Sequence, residues 1–438
     1  MSQTNFARKK PIAVFIVLLA LLVSACSNSG TTGNGSSSSP EGSAKGKKAV
    51  SLTYAAWYQP YADWITERAV AYQKLHPELD FKVTTNVFPW ANYWEKLLAQ
   101  AAGKDLPDIF DMNGPNFADY VTKGQLSSLT PYITSNNYNE ADFVTSIQDL
   151  YKYKNEPYGI SAAMDGNGIF YNKKIFDDNK IPYPDDTWDT NKFREVAKQL
   201  TKPGSVWGTA VSLDVLSAQN WLLSNGGKIY NDDKTASLLE SKENIDTLQW
   251  LQDLVFVDKS APDKTAAPDG NLVNLFIAGK IAMLPTGSSL VGTLKSSDAT
   301  IDWDVAPWPK GSQGIKVVTH GPARVVAANS KHKDVAADFV LFLGQKDSLV
   351  EFSKSNISSR KDLQSNFIQF NPDKNLKALI DSTALATIYP ATTNFSLWNN
   401  EATKQGDLLL LNQTKPADAL KAVSVKLTEA LKATNSGK

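Results

Sequence analysis

The spacing of apolar positions switches back and forth along the chain between two periods. Residues 50–56 form a short apolar, β-prone run. Residues 63–75 then carry Trp64, Ile65, Ala69, Tyr72 and Leu75 at helical spacing and stop at His76-Pro77. Residues 81–87 (Phe-Lys-Val-Thr-Thr-Asn-Val) alternate as a strand does, and 90–102 return to helical spacing. There Trp90, Trp94, Leu97, Leu98 and Ala101 share one face and Gly103 supplies the stop. With 107–112 as a further strand, the order strand, helix, strand, helix, strand predicts a parallel α/β sheet.

The alternation resumes after residue 158. Short strands are expected at 158–163 and 168–172, followed by helices at 193–200, 216–225 and 242–255. Further strands are expected at 281–284 and 301–307. The last third reads as helices at 334–343, 374–384, 400–411 and 416–431, and no repeat of fixed period stands out. The pattern therefore predicts two α/β lobes followed by a helical tail.

Ahead of this body lies a different kind of segment. Arg8-Lys9-Lys10 precede an uncharged stretch at 11–23, and Ser24-Ala25 place two small residues before Cys26. That is the layout of an export signal over 1–25, with an apolar run too short to span a bilayer comfortably. Residues 22–26 (Leu-Val-Ser-Ala-Cys) resemble a bacterial lipobox, in which the cysteine takes a diacylglycerol on sulfur and becomes the new N-terminus. From Ser27 to Lys48 the chain is almost devoid of apolar side chains, so 26–48 reads as the lipidated cysteine and a flexible tether. The expected location is the extracellular face of the cytoplasmic membrane.

Removing residues 1–25 takes away three of 45 Lys+Arg and none of 45 Asp+Glu, leaving a net charge of −3. Nucleic-acid binding requires clustered cations, and no such cluster appears beyond Lys45, Lys47 and Lys48 in the tether. With Cys26 as its one cysteine the chain forms no internal disulfide, so a large core must carry stability.

Motifs for enzyme chemistry are sparse. There is no Gly-x-Ser-x-Gly elbow and no Gly-x-x-x-x-Gly-Lys loop, and Tyr171 stands where Gly166-Asn167-Gly168 would need a third glycine. His76, His320 and His332 are too scattered for a local metal motif. Asn371, Asp373 and Asn375 begin like a calcium loop, but Leu376 and Ser382 replace its glycine and glutamate. No cofactor or metal is expected. A glycosidase needs two carboxylates across a cleft, and Asp105, Asp108, Asp111, Asp165, Asp185, Asp186 and Asp189 keep that alternative open.

Aromatic side chains are the richer signal. Trp57-Tyr58 follow the first expected strand, Trp221 precedes Asn225-Gly226-Gly227, Trp308 sits between prolines, and Trp398 adjoins Asn399-Asn400. An indole offers the C–H face of a sugar ring a large apolar surface, while amides and carboxylates take its hydroxyls. Trp64, Trp90, Trp94 and Trp250 lie on apolar helix faces and read as packing.

A set of local motifs then converges. The run Trp94-Glu95-Lys96-Leu97-Leu98-Ala99-Gln100, followed by Gly103-Lys104-Asp105-Leu106-Pro107-Asp108-Ile109-Phe110, is similar to a signature of the family 1 extracellular solute-binding proteins. So are Tyr158-Gly159-Ile160, Phe170-Tyr171-Asn172-Lys173-Lys174-Ile175-Phe176 and Thr187-Trp188-Asp189. Phe276-Ile277-Ala278-Gly279-Lys280-Ile281-Ala282-Met283 and Ser330-Lys331-His332-Lys333 with Ala336-Ala337-Asp338-Phe339 continue the series in the family's order. The resemblance spans about residues 50–430 and is to the sugar-binding, maltose-binding-protein-like branch; Ile160-Ser161 departs from a common proline.

The resemblance implies an α/β, two-lobe periplasmic-binding-protein-like fold with discontinuous lobes, a hinge cleft and a helical C-terminal region. It assigns 49–160 and 320–358 to lobe 1, and 161–319 and 359–438 to lobe 2, with crossings near 159–163, 317–322 and 357–361. Pro107-Asp108-Ile109 should end a core strand at the cleft, Tyr171-Asn172-Lys173 should open the second lobe, and Trp188 should pack a helix start. Trp57, Tyr58, Asp111 and Asn113 are the expected ligand contacts from lobe 1. Asp165, Asn220, Trp221 and Trp398 are those from lobe 2, with His320 and Arg324 flanking the second crossing. The implied function is binding without bond chemistry. A monomeric receptor, lipid-anchored through Cys26, would close on a carbohydrate and deliver it to the permease of an ABC importer. A receptor for a non-sugar solute and a surface glycoside hydrolase are the alternatives.

Overall fold

The computed structural model describes residues 47–436 apart from 137, 269, 298, 299 and 389. The expected export signal, Cys26 and the expected tether up to residue 46 lie outside the described residues.

The first sheet has five strands in the order Leu79–Val87, Lys48–Ala56, Ile109–Met112, Ala323–Val326, Gly159–Ser161. Lys48–Ala56 pairs in parallel with Leu79–Val87 over its whole length and with Ile109–Met112 at its end. Its side chains alternate between two apolar layers. Val50, Leu52, Tyr54 and Ala56 pack with the helices Gln59–Leu75 and Lys333–Leu343, whereas Ala55 packs with Tyr93 and Leu97 of helix Trp90–Ala102. Ser51 and Thr53 are exposed, so the strand alternates over its first part, and only Tyr54, Ala55 and Ala56 are buried in succession.

The sheet is not wholly parallel, contrary to the sequence pattern. Ala323–Val326 runs antiparallel to both Ile109–Met112 and Gly159–Ser161. The chain reaches it from the short strand Val317–Thr319, which pairs with Ala386–Ile388, with no covering helix between them. Asp108 is also placed differently from expectation. It precedes the strand Ile109–Met112, and its carboxylate accepts from Thr53 N and Oγ1, each at 2.8 Å, and from Ser330 Oγ at 2.6 Å.

The second sheet has the order Trp303–Ala306, Asn167–Asn172, Ile281–Gly287, Trp207–Thr209. Asn167–Asn172 is antiparallel to both neighbours, and Trp207–Thr209 is parallel to Ile281–Gly287. Asn172 ends its strand by capping helix Lys173–Asn179, accepting from Ile175 N at 3.3 Å, while Trp188 is buried in the core behind this sheet. The same core holds residues from helices Thr190–Leu200, Lys242–Phe256, Phe395–Leu410 and Pro416–Ser436. Helix Phe395–Leu410 turns Phe395, Trp398, Ala402, Gly406 and Leu409 inward at three- and four-residue spacing. A Cβ on Gly406 would stand 2.6 Å from the backbone nitrogen of Asp214, so glycine is what lets this helix lie against the loop before it.

The chain passes between the sheets from Ser161 to Asn167 and from Thr319 to Ala323. A third segment, beyond helix Lys346–Phe352, runs beside them: Ser358 bridges to Ala163, and Met164 N donates to Ile357 O at 2.9 Å. Asp165 N donates to His320 O at 2.9 Å, tying the first two passages together. Their approach is too close for any side chain at 321, where a Cβ would lie 2.0 Å from Ala163 O.

Candidate functional site

A cavity of about 510 Å³ opens between the two sheets. One wall comes from the first sheet's side: Trp57, just beyond strand Lys48–Ala56, Tyr61 in helix Gln59–Leu75, and Trp90, the first residue of helix Trp90–Ala102. The opposite wall carries Trp221, from helix Gln219–Ser224, and Trp308, beyond strand Trp303–Ala306. Asp165, His320 and Pro322 from the crossing segments close the floor.

The aromatic walls are held by other rings. Trp57 meets Trp90 edge-on at 5.3 Å between centroids and Tyr93 at 5.2 Å. Trp221 lies 4.6 Å from Trp308 and 5.1 Å from Phe193. Contacts of this kind restrict rotamers and preorganise flat surfaces for a ligand. Trp90 is 54 % exposed, so a large part of its indole faces solvent at the cavity mouth.

Between the walls are amides and hydroxyls. Asn220 accepts from Val318 N at 2.8 Å and donates to Asn167 Oδ1 at 3.0 Å, while Asn167 donates to Val318 O at 2.7 Å. This net fixes the amides on three separate elements. Ser212, Ser217, Asn271, Thr286 and Ser289 add further polar groups to the lining. Asp165 Oδ2 pairs with His320 Nε2 at 3.2 Å, and Thr319 Oγ1 donates to Asp165 O at 2.7 Å. Among the described lining residues Asp165 is the one carboxylate, and none is Lys or Arg.

The cavity therefore gathers Trp57, Asp165, Asn220, Trp221 and His320 of the residues expected from the sequence. It does not gather the others. Tyr58 is turned across the gap to Thr293, its hydroxyl 3.2 Å from Oγ1. Asn113 caps helix Gly114–Val121, accepting from Asn116 N at 3.0 Å.

Asp111 and Arg324 are a buried pair under the first wall. Tyr54 Oη donates to Asp111 Oδ1 at 2.5 Å, and the Arg324 guanidinium lies 4.7 Å from the Tyr61 ring centre and 5.1 Å from that of Trp64. Desolvation by burial pushes the Asp111 carboxyl up to about 6 against the pull of Arg324, so it remains ionised at neutral pH. Arg324 faces the apolar layer because its neighbours in the strand, Ala323 and Val325, face the other one.

Trp398 is fully buried, with Nε1 donating to Thr392 Oγ1 at 2.9 Å, because it occupies the inward stripe of its helix. In this structure it offers a ligand no surface.

Three aromatic lining residues are not among the expected contacts: Tyr61, which the pattern does not single out, Trp90, which reads as packing, and Trp308, a loop aromatic not assigned to the ligand. Trp90 shares the apolar stripe of its helix, which points to packing. Its position directly after Pro89, at the end of a strand-to-helix connection, is the signal for exposure.

A model of the bacterial extracellular solute-binding proteins matches residues 50–348. An uncharacterized lipoprotein of Streptomyces antibioticus is 26% identical over 354 residues, covering 78% of this chain and 74% of its own. The arabinooligosaccharide-binding protein of Bacillus subtilis is 25% identical over 353 residues, covering 75% and 74% respectively. An ABC substrate-binding protein of Listeria monocytogenes, solved in complex with cycloalternan, superposes with a TM-score of 0.82 at 26% identity, over 88% of this chain and 100% of that one.

Proposed function

The chain belongs to the bacterial extracellular solute-binding proteins, and from that premise we propose that it is the carbohydrate receptor of an ABC importer. It closes two lobes on a neutral oligosaccharide and presents it to the permease from a lipid-anchored position outside the cell. In this reading the lobes are 49–160 with 320–358 and 161–319 with 359–438. Closure is favoured because a sugar between Trp57, Tyr61 and Trp90 on one side and Trp221 and Trp308 on the other touches both lobes at once. That simultaneous contact is the differential affinity a conformational shift requires.

The observation that carries this reading is the cavity lining: clustered indoles on both walls, with amides and hydroxyls between them. Relatives that bind an arabinooligosaccharide and cycloalternan support the ligand class. A hydrolase would need a second carboxylate opposite Asp165, and the described lining does not supply it. A receptor for an acidic or zwitterionic solute would need a cation there.

A thermal-shift series with arabinotriose, galactotriose, maltotriose, amino acids and polyamines tests the proposal. A ligand at 100 times its Kd adds about 2.7 kcal/mol of stability. A shift with an amino acid or polyamine, and with none of the sugars, would overturn the carbohydrate reading.

A further inference from the structure

Among the described contacts between the lobes outside the cavity, two join elements far from the crossing segments. On one flank Tyr58 reaches Thr293 Oγ1 in helix Ser289–Ser296. On the other, Asp119 of helix Gly114–Val121 accepts two backbone hydrogen bonds from the start of helix Phe395–Leu410. Asn394 N donates to Oδ1 at 2.7 Å and Phe395 N to Oδ2 at 3.2 Å. Asp119 is anchored in the first lobe, because its neighbours Phe117, Tyr120 and Val121 are buried in the core against strand Ile109–Met112. Phe395 is anchored in the second, buried in the core behind strand Asn167–Asn172.

The first N–H groups of a helix have no partner within the helix, and an N-cap side chain ordinarily satisfies one of them. Here the N-cap does not do so. Asn394 sits in the left-handed region at φ 54°, ψ 37°, and its own side chain makes no cap hydrogen bond. That backbone conformation aims two successive N–H groups at a carboxylate belonging to the other lobe. The carboxylate also complements the positive end of the helix dipole. Every part of the contact is lost when the lobes separate.

We propose that Asp119 is a positioning residue for closure: by capping helix Phe395–Leu410 from the opposite lobe, it weights the closed form and sets the lifetime of a bound solute without touching it. The solute arm of this proposal rests on the two-lobe receptor reading above. A solute held between the lobes leaves only after they part, so a bond that exists solely in the closed form slows release. It acts little on entry, which uses the open form. Tyr58 and Thr293 do the same on the far flank, so the cleft is clasped at both ends.

The test uses the anchored full-length protein in detergent, with Asp119→Ala, Asp119→Asn and Tyr58→Phe. Without sugar, deuterium uptake is followed at Asn394 and Phe395 and, across the cleft, in helix Ser289–Ser296. Loss of the cap in Asp119→Ala should speed exchange at the two amides about 2- to 30-fold, the range of a lost N-cap. Uptake in the distant helix should rise with it, a change that damage confined to the cap would not produce. Asp119→Asn, which keeps one acceptor oxygen, should fall between, and remains informative if the alanine variant does not fold.

With arabinotriose and maltotriose, dissociation should accelerate by a similar factor while association stays within about twofold. Unchanged exchange at the two amides overturns the proposal, as does faster exchange there with helix Ser289–Ser296 and sugar release unmoved. If neither sugar binds the parent, that outcome bears on the receptor reading alone, and the exchange comparison still decides the clasp.

Discussion

Arg324 stands directly opposite Asp111 in the antiparallel pairing of the first sheet, with Nε 3.1 Å from Oδ1 and both side chains buried. The pairing of this guanidinium with a carboxylate is thus set by strand register. Breaking a buried pair costs about 3–5 kcal/mol, because one charge is left in a low dielectric.

Arg324→Leu should therefore lower stability by about 3–5 kcal/mol at pH 8. Removing Arg324 also removes the influence that lowers the Asp111 value, so this carboxyl titrates above about 6 in the variant. A folded-state value raised above the unfolded one gives stability that is complete below the unfolded value and is lost as pH rises through the folded one. The parent stops losing its share about a unit above its folded value of about 6, and the variant continues to lose beyond that. Urea unfolding should show a deficit that is smaller at pH 5 than at pH 8. An equal deficit at both would disprove the charge account.

The two tryptophans at 90 and 398 should exchange the roles their sequence neighbourhoods suggest. Trp90→Ala should weaken binding of an oligosaccharide identified by thermal shift by about 1–3 kcal/mol, on the scale of aromatic burial, with little change in stability. Trp398→Ala should cost about 3–5 kcal/mol of stability as a core truncation and leave the affinity of the folded fraction unchanged. Calorimetry beside denaturant titration separates the two, and weaker binding in the Trp398 variant alone would reverse the assignment.

That reversal marks where the sequence is legible. Helical periodicity located the helices Gln59–Leu75, Trp90–Ala102 and Lys333–Leu343 to within a few residues because each buries one stripe. Periodicity says which face a residue occupies but not whether its end of the helix is covered, and Trp90 differs from Trp94 only in that respect. Strand Ala323–Val326 is four residues long and buried throughout, so it carries no alternation to read. Cleft contacts were harder still. The lining is assembled from short pieces between Trp57 and Pro322, and their convergence depends on register and on the close crossing at Gly321. Asp111, Asn113 and Arg324 lie near that convergence in sequence, and it is the side chain's face of the strand or its cap that takes each one out of it.

Cys26 leads to a prediction about place rather than affinity. Two or three acyl chains at about 0.8 kcal/mol per buried methylene hold a protein at a membrane effectively permanently. A tethered receptor meets its permease at a raised effective concentration. Cys26→Ser should move the protein from the membrane fraction to the medium, with sugar affinity unchanged and uptake by intact cells reduced. A serine variant that still sediments with membranes would refute the lipid anchor.

Asp165 should make the cleft discriminate by charge. Its carboxylate stands among uncharged lining residues and is paired with His320. An acidic sugar whose carboxylate came within about 4 Å of Asp165 would be repelled by about 1–4 kcal/mol, the range between aqueous and near-surface screening. Trigalacturonate should bind about tenfold or more weakly than galactotriose, a tenfold ratio being about 1.4 kcal/mol. Asp165→Asn removes the repelling charge and leaves His320 facing the ligand, so the ratio should narrow. Salt should narrow it too, since partly exposed charges are screened over about 10 Å at 0.1 M. Calorimetry with both trisaccharides, on both proteins, reads this directly. Equal affinity for the two in the parent would show that Asp165 faces no part of the ligand.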